Sequence, residues 1–283
     1  MTALKPAAAN AEFYKEEKLP ISTEDRESFA EKCQVVKKEI TYMLEKEKEI
    51  LSISKNSAGI EYKKFSLSED QIYIATLYMQ INSLSTEILA TKNNDSLNEA
   101  RKAIYKAIIY LEDIVSATVD CPYGDLDSRL ENIKNIHIEK RYYLIRKMGL
   151  AIDLLVDAFG DNSKWKWSFV EMRGRYAVVA KNLIDMKQAC KDYFEPSSPD
   201  YDNTVLYVRL IRQLIDKSSM EYRDKYELST RRIDDMRIAI NYLIALRRIA
   251  MVLGDSDASE EIRKKAIVWK GKMEADQKSG SSK

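Results

Sequence analysis

The sequence predicts an elongated all-α protein, built as a bundle of six to seven long helices with coiled-coil-like seams. Its 283 residues include only eight Gly and five Pro, fewer than turn-rich β architectures use. Hydrophobic residues make up 45% of the chain and charged residues 32%, which suits amphipathic helices around a sizeable core. Apolar residues also recur at alternating steps of three and four, the spacing of one helix face.

The first long helix is predicted over residues 23–54. Its apolar positions follow a heptad register with steps of four and three, which indicates a narrow seam against one neighbouring helix. The residues on that seam are Phe29, Cys33, Val36, Ile40, Met43, Glu47 and Ile50.

Two S-x-x-E pairs predict where the next two helices begin, because Ser and Glu at this spacing form a capping box. Ser66 with Glu69 is expected to open a helix that runs to about Thr91. Ser96 with Glu99 is expected to open a third helix. Its core face comprises Ala100, Ile104, Ala107, Leu111 and Ile114.

The segment CPYGD, residues 121–125, predicts the end of the third helix, because Pro and Gly interrupt helices. A fourth helix is expected over residues 126–159, with Gly160 as its C-terminal cap. The only histidine, His137, falls one seam step after Ile133. It is therefore expected to be a structural histidine at a polar layer of the bundle.

The stretch SKWKWSFVEMRGRY at residues 163–176 mixes basic and aromatic residues in the manner of a binding patch, but most of its aromatics lie on a seam. That seam begins at Trp165 and continues through Phe169, Met172, Tyr176, Val179, Leu183, Met186, Cys190 and Phe194. Trp167 lies off the seam with Gly174, beside Arg173 and Arg175. We expect Trp167 to contact a partner protein; the alternative is packing at a crowded end of the bundle.

The last third of the chain is predicted to extend the molecule. Residues 195–203, EPSSPDYDN, indicate a loop, and residues 204–253 contain neither Gly nor Pro. The apolar stripe of this long segment is lost in its middle, so it either bridges two packed regions or bends there. A short last helix follows Gly254 and carries Ile262, Ala266, Trp269 and Met273.

The chain is expected to comprise three parts. Residues 1–21 form a flexible N-terminal arm, residues 22–274 an elongated all-α domain with a bend near 195–230, and residues 275–283 a disordered tail. A tetratricopeptide consensus does not recur at periods of 34 to 45 residues, and the predicted helices are too long for that repeat. A repeat-like solenoid remains the alternative architecture.

Motifs for catalysis are missing from the sequence, so a non-enzymatic protein without cofactor or metal is expected. A single histidine cannot supply the two Glu-x-x-His motifs of a di-iron bundle, and no glycine-rich phosphate loop occurs. The cysteines Cys33, Cys121 and Cys190 have no C-x-x-C spacing. The 46 basic and 45 acidic residues nearly cancel, so nucleic acid is not an expected partner, and no apolar run is long enough for a membrane span.

Seventeen tyrosines are the unusual feature of the composition, and many lie off the predicted seams. Large amphipathic side chains at such positions suit protein contact. The alternative is that these tyrosines lie at the edges of the bundle, where the ring packs on apolar surface and the hydroxyl stays in water. The candidate protein-contact residues are Trp167, Arg173, Arg175, Tyr142, Tyr201, Tyr222 and Tyr226.

The stretches KRYYLIRKMGLAIDLLVDAFG, residues 140–160, and NYLIALRRIAMVLG, residues 241–254, give the chain an overall character that resembles the flagellar-coiling sheath proteins of spirochaete periplasmic flagella. This resemblance spans residues 22–275. It implies a bent, V-shaped helical protein that binds itself and filament proteins. Such a protein would coat the flagellar filament on one side, promote its curvature, and reside in the periplasm as a mature form.

Two other functions remain open. One is a cytoplasmic, repeat-like helical adaptor that binds proteins or peptides in a concave groove lined by Tyr and Trp. The other is a nucleic-acid-associated helical protein that uses basic faces within residues 139–175 and 231–272.

Overall fold

The computed structural model describes residues 21–54, 59–160 and 164–280, and these residues form helices and turns without a strand. The all-α prediction is therefore confirmed. The helices are α1 (Thr23–Ser54), α2 (Ile60–Leu89), α3 (Asn94–Ile114), α4 (Tyr123–Glu131), α5 (Ile138–Phe159), α6 (Lys166–Asn182), α7 (Met186–Tyr193), α8 (Tyr201–Lys225), α9 (Ile233–Val252) and α10 (Ser256–Gly280). Within the described segments, no helix has both the length and the apolar character to cross a membrane.

Six of these helices pair into three antiparallel hairpins, α2 with α3, α5 with α6, and α8 with α9. The hairpin of α8 and α9 shows the pattern. Lys225 pairs with Asp235 at the turn (2.9 Å), whereas Arg212 pairs with Asp255 at the opposite end (2.9 Å). Such reversal of residue order along two packed helices defines an antiparallel pair.

The three hairpins stack side by side in the same direction. Between the first two, Tyr105 donates to the carbonyl of Ser168 (3.0 Å). Between the second and third, the rings of Tyr142 and Tyr207 lie 5.7 Å apart.

Residue order is retained between α2 and α5, where Glu69 pairs with Lys147 and Lys92 donates to the carbonyl of Phe159 (2.8 Å). It is reversed between α6 and α8, where Tyr207 donates to the carbonyl of Ala180 (3.0 Å) and Glu221 pairs with Arg173 (2.9 Å). Because α5 and α6 are antiparallel, α2, α5 and α8 run parallel to one another, which is the arrangement of an α-solenoid. The hairpins begin at residues 60, 138 and 201, so their spacing is unequal and a search for a fixed repeat misses them.

Helix α1 packs on the first hairpin through the predicted heptad seam. Cys33, Val36, Ile40 and Met43 are all buried there, which confirms this register. The seam also buries Glu47. Its carboxylate accepts hydrogen bonds from the following side chains: Gln71 Nε2 (3.0 Å), Lys106 Nζ (2.5 Å) and the Tyr110 hydroxyl.

Both predicted capping boxes are wrong. Helix α2 begins at Ile60, six residues before Ser66, because burial of Phe65 and Leu67 extends the helix toward the N-terminus. Helix α3 is capped by Asn93, whose Oδ1 accepts from the amide of Ser96 (3.0 Å). Tertiary packing and a competing Asn cap therefore overrode the S-x-x-E signals.

The predicted fourth helix is divided into α4 and α5 by a turn at residues 132–137, and Pro122 caps the start of α4 rather than the end of α3. The guanidinium of Arg141 holds this turn, since it donates to the carbonyls of Ile133 (2.9 Å) and Ile136 (2.8 Å). His137 lies exposed at the start of α5, so its expected place in a polar layer is wrong.

The predicted fifth helix is also interrupted. Residues of the seam from Phe169 to Leu183 are buried as expected. Asp185 then caps α7 by accepting from the amides of Lys187 (3.0 Å) and Gln188 (3.1 Å). Phe194, the last predicted seam residue, is exposed because the chain turns away after α7.

The segment without Gly or Pro is a hairpin and not one long helix. Helix α8 already begins within the predicted loop 195–203, and the chain reverses at a π-helical turn, Tyr226–Thr230. Arg231 follows with a φ of 53°, in the left-handed region. Thr230 Oγ1 donates to Asp235 (2.6 Å), which fixes the turn without glycine.

The last helix is longer than predicted, so the expectation of disorder is wrong for residues 275–280. Helix α10 continues to Gly280, and Asp276 accepts a hydrogen bond from the Tyr226 hydroxyl (2.5 Å). The predicted arm lies outside the described residues apart from Ile21, as do residues 281–283.

Candidate protein-binding groove

A groove with apolar walls crosses the outer face of the three parallel helices α2, α5 and α8. It consists of two cavities, one on each side of Leu150, which lines both. We call these the α2–α5 cavity and the α5–α8 cavity, and together the groove.

The α2–α5 cavity has a volume of about 420 Å³. Its walls carry three large apolar side chains that remain exposed in the monomer, namely Tyr73 (44%), Leu150 (62%) and Leu154 (49%). Ile72 and Ala151 are buried beneath them. Large apolar side chains grouped in one cavity indicate a contact surface more strongly than isolated ones do.

The α5–α8 cavity has a volume of about 270 Å³, and Gly149 and Tyr176 lie close together in its lining. A Cβ atom on Gly149 would lie 2.6 Å from the hydroxyl of Tyr176. That hydroxyl donates to the carbonyl of Ile145 (2.8 Å), so the ring is held in place. Half-buried Leu210 and Leu214 form the opposite wall on α8.

Charged residues border both cavities, and some are already paired. Glu69 forms an ion pair with Lys147 beside the α2–α5 cavity, and Arg173 pairs with Glu221 (2.9 Å) beside the α5–α8 cavity. Three exposed charged side chains at the α5–α8 cavity form no ion pair with any described residue. They are Arg146, Asp153 and Lys217.

Three tyrosines predicted as contact residues lie in the core instead. Tyr142, Tyr222 and Tyr226 are all less than 10% exposed. Tyr222 stacks on Tyr242 at a centroid distance of 5.6 Å, and burial raises the pKa of both hydroxyls. The expectation that these residues are accessible is wrong, because the hairpin stack covers faces that a two-helix seam would leave open.

The other predicted contact residues are distributed over several places. Trp167 is half-buried against the core, and Tyr201 is half-buried at the start of α8. Arg175 binds Glu112 through Nε (2.8 Å) and Nη2 (2.5 Å), so its charge is already matched. Arg173 is the predicted residue that lies at the groove.

Gly174 is not the open neighbour of Trp167 that the sequence suggested. A Cβ atom at this position would lie 2.7 Å from Tyr222 Cε2 and 2.7 Å from the Tyr242 hydroxyl. The glycine therefore allows α6 to approach α8 and α9 closely.

Sequence reasoning missed the residues that define the groove, above all Tyr73, Leu150 and Leu154. A usable signal existed in α5, since Tyr143, Leu150 and Leu154 form a second apolar stripe outside the buried seam. A helix with two apolar faces can pack against other helices of the same chain on both, or against a helix on one face and a different protein on the other.

Another cavity, also of about 420 Å³, lies where α4, α5 and α7 meet, and both charged and apolar side chains line it. The side chains of Asp127 and Lys187 pair with each other across it, and Glu131 pairs with Lys134, three residues further along the chain (2.5 Å). Buried Arg141 lines it, and burial lowers the pKa of this guanidinium. Asp185 and Asp192 also line it and accept hydrogen bonds, from the amide of Lys187 (3.0 Å) and the hydroxyl of Ser198 (2.8 Å) respectively. Among the described residues, no group of three His, Cys, Asp or Glu could hold a metal ion.

One buried lysine stands apart from these networks. Lys181 is 3% exposed, makes no ion pair with a described residue, and places Nζ 5.5 Å from the ring centroid of Tyr123. Burial lowers the pKa of Lys181 to about 8, although Cys121 and Asp120 oppose that shift.

Fold and groove together define an all-α protein of stacked helical hairpins with an apolar surface groove. The chain belongs to the TP0443 family, whose model matches residues 25–277. The family bears a Treponema pallidum name, which agrees with the spirochaete part of the resemblance but states no function. Neither a curated protein nor a solved structure shows significant similarity to this chain.

Proposed function

We propose that this chain is a non-enzymatic scaffold that binds other proteins along the groove. The proposal rests on three exposed apolar residues that line the same cavity between the parallel helices α2 and α5. They are Tyr73, Leu150 and Leu154. Complete burial of a large apolar side chain contributes about 1.5 to 3 kcal/mol, so covering the exposed half of each of these contributes roughly half of that. A partner that covers all three therefore gains enough free energy to offset part of the cost of association.

The groove also has the rigidity that a binding surface needs. Its walls are helices packed on a continuous core, with Ile72, Ala151 and Ile152 buried directly behind them. A preformed surface loses little conformational entropy when a partner binds.

Photo-cross-linking tests this proposal. A benzoylphenylalanine at position 150 is introduced in the cells of origin, with position 228 in the turn between α8 and α9 as the control, since Leu228 is 74% exposed and lines neither cavity. We expect an adduct of discrete mass at position 150, lost on the additional substitution Leu154→Asp. Absence of an adduct, or the same adducts at both positions, contradicts a groove-binding scaffold.

A second candidate function is lateral self-assembly, as the resemblance to flagellar-coiling sheath proteins implies. Terminal helices of a stacked array need polar outer faces to remain apart. Here α1 exposes Val35 and Tyr42, and α10 exposes Ile267 and Val268. These faces support association between copies of the chain, and the resemblance adds the proposal that such copies coat a periplasmic filament and promote its curvature.

Sedimentation velocity separates the second candidate from the first. Wild type should associate as its concentration rises, and Tyr42→Lys with Val268→Lys should remain monomeric. Unchanged association of that variant contradicts assembly through the terminal helices. Fractionation of the cells of origin tests the proposed periplasmic location against a cytoplasmic adaptor.

A further inference from the structure

We propose that the partner segment in the groove is an amphipathic α-helix with two large apolar side chains seven residues apart and acidic residues beside the first. This inference rests on the proposed groove-binding function and states the chemistry of its ligand.

The two cavities set the number and spacing of the apolar side chains. Volumes of about 270 and 420 Å³ each accommodate a large apolar side chain, and Leu150 separates them. Packed helices lie roughly 8 to 10 Å apart, so cavities between successive helices of the stack repeat at about that distance. Seven residues of an α-helix rise about 10.5 Å and return to the same face.

The walls favour a helical segment over an extended one. The groove is lined by side chains of α2, α5, α6 and α8, whose backbone amides and carbonyls are hydrogen-bonded within those helices. An extended segment would leave its own backbone groups without partners against apolar walls, which costs free energy for each group. A helix satisfies these groups internally.

Charge complementarity gives the flanking residues. Arg146 and Lys217 border the α5–α8 cavity on opposite helices, and neither forms an ion pair with a described residue. Among the described residues that line this cavity, Asp153 is the one carboxylate that likewise forms no ion pair. The Glu69 and Lys147 side chains beside the other cavity neutralise each other. Acidic residues therefore fit beside the anchor that enters the α5–α8 cavity.

Three fluorescent helical peptides of equal length test this inference by anisotropy at low ionic strength. The first carries two Leu seven residues apart and two Glu within a turn of the first Leu. The second has Lys in place of both Glu, and the third has the second Leu moved two positions, onto another face. We expect the first peptide to bind roughly tenfold more tightly than either of the others.

Charge reversal provides the decisive comparison. Arg146→Glu with Lys217→Glu should reverse the preference, so that the Lys peptide binds more tightly than the Glu peptide. The double variant Lys38→Glu with Lys48→Glu makes the same change of charge on exposed positions of α1 and should leave the preference as in wild type. Circular dichroism verifies that both variants are folded.

Equal binding of the Glu and Lys peptides, equal binding of the shifted peptide, or no binding of the Glu peptide overturns the inference. The cross-linking at position 150 separates this result from failure of the proposed function. An adduct there together with peptide failure rejects only the ligand chemistry, whereas absence of both rejects the groove as a binding surface.

Discussion

Two regions of this molecule bury chemically different groups between helices, and the difference determines what each tolerates. At the junction of α1, α2 and α3, the carboxylate of Glu47 is surrounded by three donors from two other helices. Around α6, Gly174 leaves space for two stacked tyrosines, and Lys181 is buried without an ion pair among the described residues. The stability of the first region therefore depends on the hydrogen bonds that compensate a buried carboxylate. The stability of the second depends on close packing around Gly174, and it is reduced by the buried charge of Lys181.

The largest effect is expected from Glu47→Ala, which leaves Gln71 and Tyr110 without their acceptor and creates a cavity in the seam. We expect a loss of about 3 kcal/mol in the free energy of unfolding, measured by urea denaturation. Glu47→Gln should cost less because the amide oxygen still accepts. Exposed Glu45 on the same helix is the control, and Glu45→Ala should change stability by less than about 0.5 kcal/mol. A similar cost at both positions would show that the network contributes little.

Gly174→Ala should cost about 1 to 3 kcal/mol, because its Cβ would meet the buried rings of Tyr222 and Tyr242. Gly124→Ala in α4 is a matched control, since its added Cβ would meet nothing within 4 Å. That variant should be neutral or more stable by up to about 1 kcal/mol. Adding Tyr242→Phe to Gly174→Ala should recover part of the loss. No cost for Gly174→Ala would mean that α6 and α8 can separate freely.

The buried charge of Lys181 predicts a pH dependence. Its folded pKa of about 8 is below the ordinary value of 10.5, so the unfolded chain binds more protons between these values. The contribution of Lys181 to stability should therefore rise with pH between about 8 and 10.5. Lys181→Met should be more stable than wild type at pH 7, by up to about 3 kcal/mol, and its advantage should shrink as pH approaches 10.

Thermal and urea unfolding at pH 7, 8, 9 and 10 measure this effect. Cys33 and Cys190, whose pKa values are raised from 9.0 by burial, oppose the rise from about pH 9, and tyrosines such as Tyr123 oppose it above about pH 10. Both contributions are shared by wild type and Lys181→Met, so the difference between the two proteins isolates Lys181. Exposed Lys140→Met is the control and should show the pH profile of wild type. An advantage of Lys181→Met that does not depend on pH would assign the effect to packing and not to charge.

The smallest effect on stability is expected from Leu150→Asp in the groove. This side chain is exposed, so the free energy of unfolding should change by less than about 0.5 kcal/mol. Binding of the helical Glu peptide should nevertheless be lost, because Leu150 lines both cavities. A large loss of stability would place Leu150 among the core residues and remove the groove as a preformed surface.

The seams of α1, α3 and α6 could be predicted from the sequence because each is a local property of one helix. Residues spaced by three and four share a face regardless of the partner, so Met43, Ile104 and Val179 were assigned to the core and are buried. Helix ends were less predictable. Caps and breaks depend on distant groups, as when Arg141 binds the carbonyls of the turn before α5.

The groove depends on tertiary structure more than any other feature. Of the predicted contact residues, Arg173 lines it, whereas Tyr142, Tyr222 and Tyr226 are buried by helices far away in the chain. A position off one seam is exposed only if no second helix covers it, and periodicity does not reveal how many neighbours a helix has.

The sequence by itself determined the helical class, the amphipathic faces and the lack of recognisable catalytic motifs, because composition and spacing act locally. Only the tertiary structure decided that residues 204–253 form a hairpin and that three hairpins stack in parallel. The physical reason is that Tyr226, where the reversal begins, is held by Asp276 of α10, fifty residues further along the chain, and no local pattern encodes such a contact. The stack then leaves Leu150 uncovered between two cavities, and the proposed binding surface follows from that arrangement.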